Sequence, residues 1–509
     1  MKKRQVLINA IISVMQIIAV SLLIFILYRY LLNTIGIKLL GIWSLVLATT
    51  SITQIANFGL SGSVVKFVAK YIARGEDENV SDVIQTATLS AAVIISVILL
   101  IGYPVIKWIV GIVVPKEFLY HAIIILPYAL LTFWLMMITG IFHAGLDGFQ
   151  RIDLRSILLI VGTALHLLLC FVLVPAYGLL GVAYAQVIQG LVILISSWLF
   201  LKKCLPSLPI IPHRWKKEIF KEISCYGINF QIISIAVVFY DPITKGLLSK
   251  FGSLAMVGYY EMVSKMIQQF RALIVSANQV LVPAIADLHE RNPEMIKDVY
   301  LTSYRLLFYL LLPLYSMIIV CTPIISELWI GYAEEVFILF SILLTIGWFF
   351  NTLSVPAYFA YLGIGELRWN VAGHIMIGLL NVGSGFLLGT FYGGTGIVIA
   401  WVSALSLGSI MIHLSYHIKN RIPFAELLPK ASRIITLVCI VGIFITLKTY
   451  YTFNHSVNTN ILYGINLVSF SIIVVILLWF HPMRKSLIGW VSSEILNRKT
   501  EVDSRKKIR

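Results

Sequence analysis

Long apolar runs alternate with short polar or basic turns along almost the whole chain. A helix needs roughly 20 apolar residues to cross about 30 Å of hydrocarbon, and the chain contains fourteen runs of about that length. The runs are continuously apolar, whereas strands of a membrane barrel alternate between lipid-facing and inward-facing residues. We therefore predict an all-α polytopic membrane protein with about fourteen transmembrane helices. The predicted spans are 7–29, 39–60, 85–109, 118–144, 155–174, 178–201, 223–246, 255–286, 301–325, 336–362, 370–388, 394–417, 434–451 and 461–480.

The polar turns divide these spans into groups. A Pro- and Lys-rich stretch separates the first six spans from the next six, and its second part, from Trp215 to Lys221, is either a short amphipathic helix on the inner leaflet or a solvated linker. The predicted parts are an N-terminal six-helix lobe (1–201), a basic cytoplasmic linker (202–222), a C-terminal six-helix lobe (223–417), an extra helix pair (418–480) and a basic cytoplasmic tail (481–509).

Short motifs recur at a spacing of 215 to 217 residues. Because six spans, an even number, separate the copies, the two lobes would enter the membrane in the same orientation, as parallel repeats with a cleft between them. The alternative is coincidence, since Gly-aromatic pairs are common in membrane hairpins. The matches are Tyr177, Gly178, Gly181 and Ala185 with Tyr392, Gly393, Gly396 and Ala400, then Gly41-Ile42-Trp43 with Gly258-Tyr259-Tyr260, and Gly148 with Gly365.

Composition agrees with a membrane protein, because only 12% of the residues are charged, against about 25% in soluble proteins. The formal net charge is +16, but 30 of the 39 Lys and Arg fall on the side of the membrane that holds Lys2, Lys3 and Arg4. This asymmetry follows the positive-inside rule and predicts that both termini are cytoplasmic. The basic residues would then face anionic membrane lipids, and we expect no nucleic-acid partner.

Signatures of soluble enzymes are missing from the sequence. It has no G-x-x-x-x-G-K-[ST] phosphate loop, no G-x-S-x-G elbow and no H-E-x-x-H helix. Its five cysteines have no C-x-x-C spacing, so neither a zinc site nor a disulfide framework is indicated. We expect no enzyme, no metal and no cofactor, with H⁺ or Na⁺ left open as a coupling ion.

The eighth predicted span carries the densest polar stripe. Glu261, Lys265 and Gln268 share one face of the helix, and Arg271 flanks it. Polar groups inside spans usually face a cavity or a partner, so this stripe is predicted to line the cleft and to meet an anionic ligand. The alternative is that Glu261 and Lys265, four residues apart, neutralise each other.

The seventh predicted span contains Asp241, Pro242 and Lys245. Proline interrupts or kinks a helix, so this segment is predicted to be a hinge with a cation or proton site. A structural ion pair between the two charged side chains is the alternative.

The first two spans contribute three weaker candidates. Gln54 and Asn57 fit a polar stripe facing the cleft, and hydrogen bonds between helices explain them nearly as well. Arg29 lies at the predicted outer end of the first span, where it either meets the substrate or extends to the membrane surface.

Several of these segments resemble a known family. The resembling stretches are Gly41 through Asn57-Phe58-Gly59-Leu60 to Lys66 and Arg74, then Asp241 to Lys245, Phe251-Gly252, Gly258-Tyr259-Tyr260, Leu281-Val282-Pro283 and the Tyr177-Gly178 turn. They are similar to polysaccharide flippases of the Wzx type, in the multidrug/oligosaccharidyl-lipid/polysaccharide exporter superfamily. The resemblance implies two six-helix lobes around a V-shaped central cavity, an extra helix pair and transport by alternating access.

The substrate that the resemblance implies is an oligosaccharide repeat unit linked to undecaprenyl diphosphate. The flippase would move it across a bacterial or archaeal cytoplasmic membrane for O-antigen, capsule or exopolysaccharide synthesis, alongside a polymerase and a ligase. Its diphosphate would be the anion that meets Lys265 and Arg271. The family also uses basic groups of spans one and two, and this chain supplies Arg29 but no charge in span two.

Other functions remain open on the sequence alone. Within the superfamily, the alternatives are a peptidoglycan lipid-precursor flippase and a multidrug or cation antiporter. Outside it, the alternative is a membrane-embedded glycan polymerase or acyltransferase, although the chain lacks the extended outer loop that holds catalytic groups in such enzymes.

Overall fold

The computed structural model describes residues 3–51, 60–228, 231–279, 281–427, 430–452 and 457–484. Within these ranges the regular structure is helical and contains no strand, which agrees with the predicted all-α class. The elements are α1 (Lys3–Ser51), α2 (Leu60–Ala73), α3 (Asp77–Val113), a 3-10 turn (Lys116–Phe118), α4 (Leu119–Gly148), α5 (Ile152–Tyr177), α6 (Leu179–Cys204), α7 (Lys217–Ile228), α8 (Gln231–Val238), α9 (Tyr240–Phe251), α10 (Leu254–Asn278), α11 (Leu281–Arg291), α12 (Met295–Ile330), α13 (Glu335–Leu353), α14 (Val355–Ile364), α15 (Arg368–Lys419), α16 (Phe424–Leu427), α17 (Lys430–Thr452) and α18 (Val457–Phe480).

Ten helical stretches of the described chain are long and apolar enough to cross a membrane. Two of them are kinked, at Gly36 in α1 and at Gly393 in α15, where φ is 80° and 60°. Only glycine adopts such positive φ values without steric cost. Each kink falls between two predicted spans, so each of these long helices contains a predicted helical pair. The number of fourteen spans stays a prediction.

Two other predicted spans are divided in the structure. The span predicted at 223–246 is interrupted at Phe239, between α8 and α9, and Pro242 lies in the first turn of α9. Proline has no N–H to donate and clashes with the carbonyl four residues earlier, but the first turn of a helix tolerates it. The span predicted at 255–286 is likewise divided between α10 and α11, shortly before Pro283.

Equivalent turns support the predicted repeat. Gly178 (φ 55°) separates α5 from α6, and its counterpart Gly393 (φ 60°) makes the kink in α15. Three residues later, a Cβ on Gly181 would lie 2.4 Å from the carbonyl oxygen of Leu173, and one on Gly396 would lie 2.2 Å from the equivalent oxygen. Both halves of the chain therefore need glycine at the same two places.

The third predicted match, Gly148 with Gly365, is wrong by two residues. A Cβ on Gly148 would lie 2.6 Å from Cγ1 of Val68, and one on Gly363 would lie 2.9 Å from Cβ of Ile285. Gly365 instead has φ of 85° and open space around its Cβ position. The counterpart of Gly148 is therefore Gly363, because the offset between the halves changes from 217 at Ile285 to 215 at Gly363.

A further equivalent contact exchanges its two partners. In the first half, a Cβ on Gly162 of α5 would lie 2.3 Å from Cδ1 of Ile193 in α6. In the second half, the position equivalent to Gly162 is Ile377 and the position equivalent to Ile193 is Gly408, and a Cβ on Gly408 would lie 2.3 Å from Cγ1 of Ile377. The contact holds one isoleucine and one glycine in both halves, with their places reversed.

Contacts divide the chain into two compact units. The first unit is Met1–Leu273 with Asn370–Gly408, and the second is Ile274–Trp369 with Ser409–Arg509. A buried core of the first unit joins α2, α3, α4 and α6, and one of the second unit contains four tyrosines. Those tyrosines are Tyr300, Tyr304, Tyr361 and Tyr416. The predicted lobes at 1–201 and 223–417 stay predictions.

The predicted linker is fixed to the first unit by polar contacts. Trp198 Nε1 donates to the carbonyl oxygen of Ile210 at 2.7 Å. The buried Gln85 of α3 accepts with Oε1 from the backbone N–H groups of His213 and Arg214, each at 3.1 Å. The segment between α6 and α7 is therefore held against α3.

Candidate functional site

The site begins with a close approach of α1 and α10 in the first unit. A Cβ on Gly41 would lie 2.0 Å from the carbonyl oxygen of Leu254, and one on Gly258 would lie 2.7 Å from that of Ile37. Gly258 follows Gly41 by 217 residues, and Leu254 follows Ile37 by the same number. The contact is therefore reciprocal between the repeats, and only glycine permits this distance.

One turn beyond these glycines, a buried carboxylate holds two ammonium groups. Glu261 of α10 accepts from Lys245 Nζ at 2.6 Å, and Lys265 Nζ lies 3.6 Å from its other oxygen. Lys245 also donates to Asp241 Oδ2 at 2.5 Å. Glu261 and Lys245 have side chains only about 5% exposed, whereas Asp241 and Lys265 are more than 40% exposed. Both predicted i, i+4 ion pairs are thus present, and Glu261 joins them.

Two hydroxyl groups of α1 complete the coordination of the carboxylate. Tyr28 Oη donates to Glu261 Oε1 at 2.8 Å, and Ser44 Oγ donates to Glu261 Oε2 at 3.0 Å. In a straight helix, Tyr28 and Ser44 would lie about 24 Å apart. The kink at Gly36, midway between them, brings both to the same carboxylate. Glu261 therefore fixes the fold of α1 on itself.

We call this set the Glu261 network. Its two carboxylates and two ammonium groups balance in charge. A buried unpaired charge costs several kcal/mol, because the low-dielectric interior does not solvate it, so pairing and hydrogen bonding are what allow these groups inside a membrane-spanning region. The members are Tyr28, Ser44, Asp241, Lys245, Glu261 and Lys265.

The helix that carries Lys245 is held by α15. One residue before Lys245, the buried Thr244 accepts from Asn381 Nδ2 at 3.0 Å. One turn earlier, Tyr240 Oη donates to the carbonyl oxygen of His374 at 2.7 Å. These side-chain contacts set the position of α9 in the first unit, and so the position of the ammonium group beside Glu261.

The remaining predicted residues lie outside this network. Arg271 is half-buried three turns further along α10, where its charge acts on His374. Gln268 and Arg29 are exposed. Their predicted roles in binding stay predictions. The other two candidates, Gln54 and Asn57, fall outside the described residues.

Sequence reasoning missed Tyr28 and Ser44 as members of the site. Tyr28 shows no signal that separates it from other aromatic residues near a span end. Ser44 did carry one, since it precedes Glu261 by 217 residues, the offset of the Gly41 and Gly258 motifs. Extending that repeat by one turn would have paired the two positions.

Comparisons with known proteins place the fold. Residues 6–289, more than half of the chain, match the model of a family described as "Polysaccharide biosynthesis protein". No curated protein matched the chain. Three similar solved structures share little sequence but most of their length with it, so their likeness shows the fold alone.

The first of these structures is an inward-facing multidrug resistance MATE family transporter of the MOP superfamily, with 16% identity, a TM-score of 0.69, and coverage of 78% of this chain and 94% of that one. The second is the lipid II flippase MurJ in an inward closed conformation, with 14% identity, a TM-score of 0.67, and coverage of 92% and 98%. The third is a MOP superfamily transporter from Pyrococcus furiosus, with 17% identity, a TM-score of 0.53, and coverage of 81% and 96%. The fold is therefore that of the MOP superfamily, and the predicted fold class is confirmed.

Proposed function

The chain belongs to the polysaccharide biosynthesis protein family, and we propose that it is a flippase for oligosaccharide repeat units linked to undecaprenyl diphosphate. It moves them from the inner to the outer leaflet of a bacterial or archaeal cytoplasmic membrane, by alternating access, for surface polysaccharide synthesis. Both termini are cytoplasmic in this proposal. A polymerase and a ligase that act on the exported unit are its proposed partners.

The observation that carries the proposal is the Glu261 network. Glu261 lies seven residues after the start of α10, about 10 Å along the helix from the predicted outer turn. It binds both segments of α1 and the end of α9, so the network ties together two predicted outer hairpins, one from each repeat. Such a contact closes the outer side of a transporter in one state and must open in the other. In this proposal, the Glu261 network is the outer gate.

The substrate class is supported by the placement of charge along α10. Lys265 has an exposed fraction of 41% and an ion pair with Glu261, and the half-buried Arg271 lies further along the helix. A diphosphate cannot cross hydrocarbon unaided, because desolvating an unpaired charge costs many kcal/mol. Basic side chains along its route lower that barrier. The acidic groups of the network are already paired with Lys245, which disfavours a cationic drug as the substrate.

The test is deletion of the gene in its host, followed by leaflet-resolved detection of undecaprenyl-linked glycan. We expect complete repeat units to accumulate on the inner face and surface polysaccharide to be lost. Units that reach the outer face but remain unpolymerised would contradict the proposal and favour a glycan polymerase.

The role of Arg271 is tested in the same strain by complementation. Arg271→Ala is expected to reduce glycan export at least tenfold while membrane insertion is unchanged. Arg291→Ala is the matched control, since Arg291 is 79% exposed and pairs only with Asp287 among its described contacts. Normal export by the Arg271 variant would remove this residue from the substrate path.

A peptidoglycan-precursor flippase is the second candidate, favoured by the likeness to MurJ over 92% of the chain. The two candidates share the diphosphate and differ in the glycan. The deletion strain separates them, since accumulation of a peptidoglycan precursor on the inner face would support the second candidate.

A further inference from the structure

Lys245 lies between two carboxylates at the centre of the Glu261 network. Its Nζ is 2.5 Å from Asp241 Oδ2 and 2.6 Å from Glu261 Oε2, and its side chain is only 5% exposed. Asp241 is on the same helix, one turn earlier, whereas Glu261 comes from α10. An ammonium group is a compact cation with three donors, so in this position it links the two helices by charge.

The atoms around that ammonium are oxygens. They are the two carboxylate oxygens and, bonded to the same Glu261 oxygen, the hydroxyl of Ser44 at 3.0 Å. Hard cations prefer carboxylate and hydroxyl oxygens as ligands. Without the lysine head group, this pocket would have the donor set of an alkali-metal site.

We infer that Lys245 is a tethered cation that occupies the place of an alkali-metal ion between Asp241 and Glu261, and so makes closure of the outer gate independent of Na⁺ or K⁺. The inference rests on the proposed function in treating the network as a gate. It assigns Lys245 as the residue that decides ion dependence.

The charge balance gives the inference a measurable consequence. With Lys245 in place, two carboxylates face two ammonium groups. Removing Lys245 leaves Lys265, which is 3.6 Å from Glu261 and far more exposed, to balance both. The excess negative charge would then have to be balanced by a mobile cation.

The experiment measures thermal unfolding of the purified full-length protein in choline, Li⁺, Na⁺ and K⁺ chlorides at one ionic strength. We expect the wild type and Lys245→Arg to unfold at the same temperature in all four salts. Lys245→Met should unfold earlier in choline chloride and recover by several degrees in at least one alkali chloride. The recovery should saturate with concentration, as for a ligand that binds only the folded state. Lys250→Met is the matched control, because Lys250 is exposed at the end of α9.

Two outcomes overturn the inference. One is a saturable, cation-specific stabilisation of the wild type, and the other is a folded Lys245→Met variant that responds to no alkali cation. If that variant does not fold in any salt, the double variant Lys245→Met with Glu261→Gln decides. Recovery of folding in choline chloride, where the excess charge is gone, supports the inference, and failure to fold overturns it. Because no glycan is used, these results are independent of whether the proposed substrate is correct.

Discussion

The first segments of the two repeats pack in the same way but differ in chemistry. Gly41 of α1 and Gly258 of α10 are equivalent and make equivalent close approaches. Three residues further along, the equivalent positions are Ser44 and Glu261, and they bind each other at 3.0 Å. Duplication thus preserved the small residues that allow two helices to touch, while the polar position acquired a charge on one side only.

This difference shows which requirement constrains which residue. Backbone approach leaves no room for a side chain in either repeat, so both positions remain glycine. Coordination of Lys245 needs one carboxylate, and a second at Ser44 would repel the first across a short distance. Changes at these positions should therefore have unequal costs.

The largest effect is expected from Glu261→Gln. The change leaves Lys245 buried beside Asp241 alone, and removing one partner of a buried ion pair costs about 3–5 kcal/mol. We expect a lower thermal midpoint of the purified protein and loss of glycan export. Glu78→Gln, on an exposed side chain at the start of α3, is the control. A Glu261 variant as stable as that control would show that the charges do not hold the hairpins together.

A smaller loss is expected from Gly41→Ala. Its methyl group would lie 2.0 Å from the carbonyl oxygen of Leu254, a backbone atom that cannot rotate away, and overpacking of this kind costs about 1–3 kcal/mol. Gly62→Ala in α2 is the matched control, because nothing lies within 4 Å of its Cβ position. Equal thermal midpoints for the two variants would contradict the close approach of α1 and α10.

The smallest effect is expected from Ser44→Ala. Glu261 keeps its contacts with Tyr28, Lys245 and Lys265, so the change removes one hydrogen bond, at a cost of about 1 kcal/mol. Ser21→Ala is the control, since its hydroxyl donates only to its own helix among the described contacts. A Ser44 variant that loses as much stability as Glu261→Gln would show that the hydroxyl, and not the charge, organises the site.

Much of the fold followed from local patterns. Apolar runs gave the helices, and Pro242 gave the interruption before α9, because a missing N–H acts on its own helix. The Asp241–Lys245 and Glu261–Lys265 pairs were predictable as well, since i, i+4 residues are neighbours on any helix.

The link between those pairs was not predictable in this way. Lys245 and Glu261 lie on different helices, and Tyr28 comes from a segment 233 residues away. Their contact depends on how α1 bends at Gly36 and how closely Gly41 approaches α10. Neither the kink angle nor the packing distance is a property of a local pattern.

The exchanged contact between α5 and α6 and its counterpart in α15 has a consequence for recombination. Gly162 accommodates Ile193, whereas in the second repeat Ile377 fits against Gly408. A hybrid with the Gly162 helix beside the Gly408 helix would have a void, and one with Ile193 beside Ile377 would have two isoleucines in the space of one. Once the partners had exchanged places, neither repeat could donate a single helix to the other, so the two copies became committed to separate evolution.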